Sequence, residues 1–298
     1  MSLWPEAEEW ELTIGERHWA GLAFGDRDAP PALALHGWLD NAGSLVPLAR
    51  ALPRHRWWIP DLPGHGRSSH RPAGTWYHFV DYVSDLIALA DALQLPQFDL
   101  VGHSMGGAIA TLIAGAFPER IARLVLIEAI GPLSRPADQA PQDLRKAVLA
   151  RLALRQKPLK VHPRRELAIA ARMHANQLSE TAAEYLIERA MVAVDGGFVW
   201  SSDQRQTLPT PMRGTQAQYL AFIEAILAPT LLILTDPPTS YLVGPESDAR
   251  INALAPAQLL RLPGGHHLHL ENAAGVSAAI AAFLLEYPAT AVQLTAAE

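Results

Sequence analysis

Asp99-Leu100-Val101-Gly102-His103-Ser104-Met105-Gly106-Gly107 runs straight into Ala108-Ile109-Ala110-Thr111-Leu112-Ile113-Ala114. Residues 98–101 read as a short apolar strand and the run after Gly107 as a buried helix. Ser104 sits on the turn between them, with Gly102 and Gly106 two residues to either side: the G-x-S-x-G pattern of a nucleophile elbow. A strand can pass into a helix through one residue only if that residue accepts a strained backbone and its neighbours carry no side chains that collide. Such a turn projects Ser104 Oγ from the sheet edge and leaves the Met105 N–H free at a helix N-terminus to meet developing negative charge. The flanking strand, the helix and the extra Gly107 set this apart from a chance match at three positions.

On the N-terminal side, residues 10–14 and 18–24 alternate as two opening strands around Gly15-Glu16. Ala32-Leu33-Ala34-Leu35 is a continuous apolar run, as expected of a central parallel strand covered on both faces. It stops at His36-Gly37-Trp38-Leu39-Asp40-Asn41, where the glycine admits a ligand close to the backbone and the Trp38 N–H can act as a second oxyanion donor. A helix over 44–52 and a strand at Arg56-Trp57-Trp58-Ile59-Pro60 follow. The next run, Asp61-Leu62-Pro63-Gly64-His65-Gly66-Arg67-Ser68-Ser69, is dense in turn formers, so Asp61 and His65 read as groups that fix a loop path. Apolar residues at helical spacing predict an amphipathic helix over 79–94.

Beyond the elbow helix, residues 123–127 form another strand that ends at Glu128. From Pro132 the character changes. Residues 132–228 read as an inserted helical cap, with residues 1–131 and 229–298 as the two pieces of one core domain, and no strand run interrupts the insert before Phe198-Val199-Trp200. Its basic residues (Arg145, Lys146, Arg151, Arg155, Lys157, Lys160, Arg164 and Arg165) read as a solvated helix face, with recognition of an acidic substrate group as the sharper alternative. Strands resume at Thr230-Leu231-Leu232-Ile233-Leu234 and Gln258-Leu259-Leu260-Arg261-Leu262, the latter running into Pro263-Gly264-Gly265-His266-His267-Leu268-His269-Leu270-Glu271. A helix with Val276, Ile280, Phe283 and Leu284 on one face closes the fold, and the last dozen residues read as frayed.

Strands and helices alternating in this order specify an α/β fold, a mostly parallel sheet with helices on both sides. Sites in such sheets lie at the carboxyl ends of the strands, where the His36-Gly37 turn, Ser104, Glu128 and His266 converge. Ser104 needs a base within hydrogen-bond reach, and His266, on a Gly-Gly loop after the last strand, can swing over the elbow. The imidazole in turn needs a carboxylate to hold its tautomer. Glu128 is favoured, because a buried strand-end Glu is costly unless paired. Asp236, beside Pro237-Pro238, is the alternative acid. His266, His267 and His269 crowd one turn but lack the H-E-x-x-H spacing of a zinc site, so no metal and no cofactor is expected.

The set His36-Gly37-Trp38, Asp61-Leu62-Pro63-Gly64-His65-Gly66-Arg67-Ser68, Gly102-His103-Ser104-Met105-Gly106-Gly107 and Gly265-His266 resembles the α/β-hydrolase superfamily, from about residue 10 to residue 285. More narrowly, His36-Gly37-Trp38-Leu39-Asp40-Asn41 and residues 263–271 are similar to its serine hydrolase-like branch. The resemblance implies Ser104 as nucleophile, His266 as base, and the Trp38 and Met105 amides as the oxyanion hole. Most superfamily members place an Asp a few residues after the strand at 230–234, which Thr235-Asp236-Pro237-Pro238 does not match cleanly. Leu126-Ile127-Glu128-Ala129-Ile130 instead resembles the haloalkane dehalogenases, whose acid is a Glu at this strand end. Those enzymes carry an Asp nucleophile. Ser104 suits attack on an acyl carbon, which sets dehalogenase and epoxide hydrolase chemistry aside.

Composition agrees with a single-domain enzyme or one with an insertion: 298 residues, 49% hydrophobic and 18% charged. A net charge of −6 gives no footprint for nucleic acid or an anionic membrane surface. The absence of cysteine removes disulfides and thiolate nucleophiles and fits the reducing cytoplasm. The acidic N-terminus has no apolar signal-peptide core, and no apolar run reaches the ~18 residues of a membrane span. The expectation is a cytoplasmic serine hydrolase that cleaves a carboxylic ester or related small acyl substrate, its pocket shaped by Trp200 and other apolar cap residues. An acyltransferase or carbon–carbon bond hydrolase with the same machinery, or a slow-turnover small-molecule receptor on the same fold, are the alternatives.

Overall fold

The computed structural model describes residues 3–154, 159–254 and 257–288. Arg155 and Lys157 of the basic set, and the C-terminal stretch from 289 onward, lie outside the described residues. The strands are β1 (Glu8–Ile14), β2 (Arg17–Phe24), β3 (Pro31–Leu35), β4 (Arg56–Pro60), β5 (Phe98–His103), β6 (Ile121–Ile127), β7 (Met191–Val194), β8 (Gly197–Trp200), β9 (Thr230–Asp236) and β10 (Ala257–Pro263). The helices are α1 (Val46–Ala51), α2 (Phe79–Ala92), α3 (Met105–Ala116), α4 (Ala140–Leu154), α5 (Arg165–Asn176), α6 (Glu180–Ala190), α7 (Gln216–Glu224), α8 (Pro245–Ala253), α9 (Leu268–Glu271) and α10 (Ala273–Glu286).

Eight strands form one sheet in the order β1-β2-β4-β3-β5-β6-β9-β10. β1–β2 and β2–β4 pair antiparallel, and the pairs from β4 through β10 are parallel. Side chains alternate across the pleat. Leu33, Leu35, Leu100, Leu124, Leu126 and Leu232 face α2 and α3, whose Leu86, Leu89, Ile109 and Ile113 complete that core. Ala32, Ala34, Val101, Val125, Leu231 and Ile233 face the other way, onto Val46 and Leu48 of α1 and Val276, Ile280 and Phe283 of α10. A sheet covered on both faces explains why these strands read as unbroken apolar runs rather than as alternating ones.

The segment between β6 and β9 carries α4–α7, but it is not wholly helical. Met191–Val194 leaves α6 directly as a strand and pairs antiparallel with Gly197–Trp200. The β-branched Val192 and Val194 suit a strand, and Gly196 at φ 80° and Gly197 at φ 143° make the reversal. Trp200, expected in the pocket, instead meets the His162 ring edge-on at 5.5 Å.

Two guanidinium–carboxylate pairs help tie this segment to the core. Arg189 of α6 pairs with Asp61 at 2.7 Å, with both side chains buried, and Asp61 also accepts the amides of Ala42 and Arg67 at 2.8 Å each. Arg172 of α5 reaches the buried Asp40 carboxylate and the Leu39 carbonyl. Asp61 and His65 thus fix the loop after β4: His65 is fully buried, and burial lowers its pKa to about 3. Removing one partner of a buried pair leaves an uncompensated charge. Arg189→Met is therefore expected to lower the free energy of urea unfolding by roughly 3–5 kcal/mol. A loss below about 1 kcal/mol, the worth of a surface pair, would mean that Asp61 is satisfied without it.

Candidate active site

Ser104 occupies the N-cap of α3 with φ 51° and ψ −115°, a conformation that L-residues rarely adopt. The turn is feasible because α3 starts against the end of β3: a Cβ on Gly106 would lie 2.2 Å from the Leu35 carbonyl oxygen, and one on Gly102 2.5 Å from that of Gly106. The Ser104 N–H donates to the Ile127 carbonyl at 2.9 Å, which locks the turn onto β6.

One residue past β6, Glu128 also has a positive φ, 52°, and its N–H donates to the Ile233 carbonyl of β9 at 2.9 Å. Its carboxylate is buried, with Oε1 accepting the Thr235 N–H at 2.7 Å and Oε2 the Thr239 hydroxyl at 3.0 Å. The loop after β10 lowers His266 between the two. Ser104 Oγ lies 2.8 Å from His266 Nε2, and His266 Nδ1 lies 3.3 Å from Glu128 Oε2. Asp236 is exposed at the end of β9, and among the described residues no hydrogen bond or ion pair joins it to His266. Trp38, on the loop after β3, and Met105, the first residue of α3, line the same cavity as Ser104. Among the described residues neither backbone amide has an acceptor.

Behind this line lies a buried polar layer. His103, between Gly102 and Ser104, donates Nε2–H to the His266 carbonyl at 2.8 Å and so pins the loop that carries the imidazole. Its ring meets that of His269 at 3.8 Å, and His267 Nε2 reaches Asp40 Oδ2 at 3.4 Å. Burial alone would raise the Asp40 carboxyl, but His267, Arg172 and His103 hold it well below the usual carboxylate range. Asp40, His103 and His269 also bring one potential ligand atom each within 4.8 Å of one another. Weighing only the sequence-adjacent histidines misses this grouping, because Asp40 arrives from the loop after β3 and His103 from the end of β5. Another unforeseen neighbour is Tyr241, whose hydroxyl lies 2.9 Å from His266 Nε2. Partial burial and the Glu128 charge push its phenol above the usual range, so it stays a neutral O–H. No sequence pattern points to this residue.

The cavity over Ser104 has a volume of about 670 Å³. Trp38, Trp76, Phe79, Ile130, Leu208 and Leu242 supply apolar wall, and Arg205, Arg213, Glu246 and Arg250 supply charge. Arg145, Lys146, Lys160 and Arg164 of the basic set are exposed and do not line it.

With this geometry stand the likenesses to known proteins. The family model described as "alpha/beta hydrolase fold" matches residues 30–273. A serine hydrolase-like protein of Danio rerio is 31% identical over 288 residues, covering 93% of this chain and 88% of the relative. The chain belongs to the serine hydrolase-like family of the α/β hydrolases. The crystal structure of a hypothetical protein from Pseudomonas aeruginosa PAO1 matches this α/β hydrolase with a TM-score of 0.89 and 42% identity, covering 93% of this chain and 99% of that one. A thioesterase domain from the curacin biosynthetic pathway matches with a TM-score of 0.80 and 30% identity, over 92% and 99% of the two chains.

The buried histidines of this hydrolase tie its stability to pH. His36, His65, His103 and His269 are fully buried, and burial lowers the pKa of each, so the folded state keeps them neutral. An unfolded histidine takes a proton below about pH 6.5, so acid favours the unfolded chain. Each of the four then contributes a loss that approaches about 1.4 kcal/mol per pH unit. Urea unfolding from about pH 7.5 to about pH 5 is expected to show stability falling by several kcal/mol. A flat profile would mean that the four rings titrate as freely folded as unfolded.

Proposed function

We propose that the protein is a serine hydrolase that cleaves a carboxylic ester or a related acyl compound through an acyl-enzyme. The hydrogen-bonded line Ser104–His266–Glu128 carries this reading, because it supplies nucleophile, base and acid in the order acyl transfer requires. Ser104 Oγ attacks the carbonyl carbon as its proton passes to His266 Nε2, and Glu128 Oε2 stabilises the resulting imidazolium through Nδ1–H. The developing oxyanion is met by the free amides of Trp38 and Met105. His266 then protonates the leaving group, the acyl group stays on Ser104, and a water activated by the same imidazole releases it. Residues 132–228 act as a cap, since Leu133 and residues 205–211 of that segment wall the cavity. Likeness to a serine hydrolase-like protein and to a thioesterase domain supports acyl chemistry. A cysteine-free chain of net charge −6 fits a cytoplasmic setting.

Hydrolysis of p-nitrophenyl esters from acetate to decanoate tests the reading, and the best chain length sizes the pocket. Ser104→Ala is expected to fall to background, and Glu128→Gln to lose roughly 10²–10⁴ in kcat, as when a triad acid is neutralised. Asp236→Asn is expected to stay within about 2-fold; the reverse order of the two acid variants would move the role to Asp236. If no ester is turned over, fluorophosphonate labelling decides. A Ser104 that reacts marks a selective enzyme, and an inert one marks a binding protein.

A further inference from the structure

Three guanidinium groups line the cavity over Ser104, and two of them are engaged. Arg205 forks onto Asp203 and donates to the Pro72 carbonyl at 2.8 Å. Arg250 donates Nη1–H to the carbonyls of Ile130 at 2.9 Å and Pro132 at 2.7 Å, and Nε–H to Gln216 Oε1 at 2.9 Å. Arg213 differs. Half-buried in the same wall, its side chain has no hydrogen bond or ion pair among the described residues.

The backbone around it is fixed. Pro209 and Pro211 set the path of segment 208–214, whose Leu208, Pro209, Thr210 and Pro211 also face the cavity. Next to Arg213, the Gly214 N–H donates to the Tyr219 hydroxyl at 2.8 Å and the Gly214 carbonyl accepts the Arg135 N–H at 3.0 Å. The nearby acids are already occupied: Asp143 pairs with Arg135 at 3.1 Å, and Glu246 accepts the Ser134 hydroxyl at 2.6 Å and faces Arg250. Burial and the Arg135 charge lower the Arg213 pKa, with Tyr219 and Asp143 acting against them. Holding a partly desolvated guanidinium beside a second one is unfavourable unless something pairs with it. On a cavity wall, that partner is the ligand's, and a guanidinium's planar fork matches a carboxylate.

We propose that Arg213 forms an anion-binding subsite in the cavity over Ser104, and that the substrate carries a carboxylate or similar compact oxyanion separated from its reacting carbonyl by an apolar stretch. The apolar wall supplied by Phe79, Ile130 and Leu242 takes that stretch. This inference rests on the hydrolase reading for the reacting end of the substrate, and on Arg213 alone for the charged end.

The test compares length-matched esters: mono-p-nitrophenyl adipate against p-nitrophenyl hexanoate, and mono-p-nitrophenyl suberate against the octanoate. The wild-type enzyme is expected to favour at least one charged ester by about 10-fold in kcat/KM at low salt. Arg213→Ala and Arg213→Gln are expected to cut the charged-to-neutral ratio by about 10-fold or more, and Arg213→Lys to restore part of it. Lys146→Ala, on the exposed face of α4, is the charge control and keeps the ratio. A wild-type ratio below one, or a ratio unmoved by Arg213 substitution, overturns the subsite. Calorimetric titration of Ser104→Ala with adipate and with dimethyl adipate separates the two readings. Saturable, Arg213-dependent binding of adipate alone keeps the subsite even if no ester is ever cleaved. Equal binding of both compounds, or of neither, removes it.

Discussion

The chain passes from β5 into α3 through Ser104 alone, at φ 51°, and much of the site depends on that single turn. Such a backbone costs of order 1–3 kcal/mol and persists only where its surroundings over-determine it. Here they do. The Ser104 N–H extends the β5–β6 ladder to the Ile127 carbonyl, and the Glu128 N–H, at φ 52°, extends the β6–β9 ladder to Ile233. Two neighbouring strands thus end in the same way, each with one more rung carried by a residue of left-handed backbone. Both residues then aim their side chains over the sheet edge toward one imidazole.

The imidazole itself rides on a loop, and loops are not precise supports. The precision comes from beneath. His103, the last residue of β5, holds the His266 carbonyl, and His269 and His267 continue the layer to Asp40. Asp40 is anchored in turn by Arg172. A change in any of these groups therefore reaches Ser104 without touching it. Low dielectric strengthens such a network when it is satisfied and makes each loss costly.

Much of this was legible in the sequence. Apolar strand runs, the glycine spacing around Ser104 and the Gly-Gly loop before His266 all follow from local rules of sterics and burial, and the eight-stranded sheet agrees with them. The need of Glu128 for partners was legible too, since an acid at a buried strand end is costly alone, and its carboxylate is buried with Thr235, Thr239 and His266 in reach. The strand at Met191–Val194 was hidden because four residues show no period until their hairpin partner is known. Trp200 read as pocket wall, whereas Trp38 and Trp76 hold that place, because aromatic content says nothing about which way a hairpin faces. Tyr241 and Arg213 lie on irregular segments, where position is set by tertiary contacts rather than by pattern. The basic residues that drew attention in the sequence are largely the solvated ones.

Two guanidinium–carboxylate joints between the β6–β9 segment and the core, Asp61–Arg189 and Asp40–Arg172, bear on how that segment is held. Lifting the segment as one rigid body would break both guanidinium–carboxylate pairs at once, far from the screening that salt gives exposed pairs. A small molecule that enters past the loop carrying Tyr241, which lines the cavity, would leave both pairs intact.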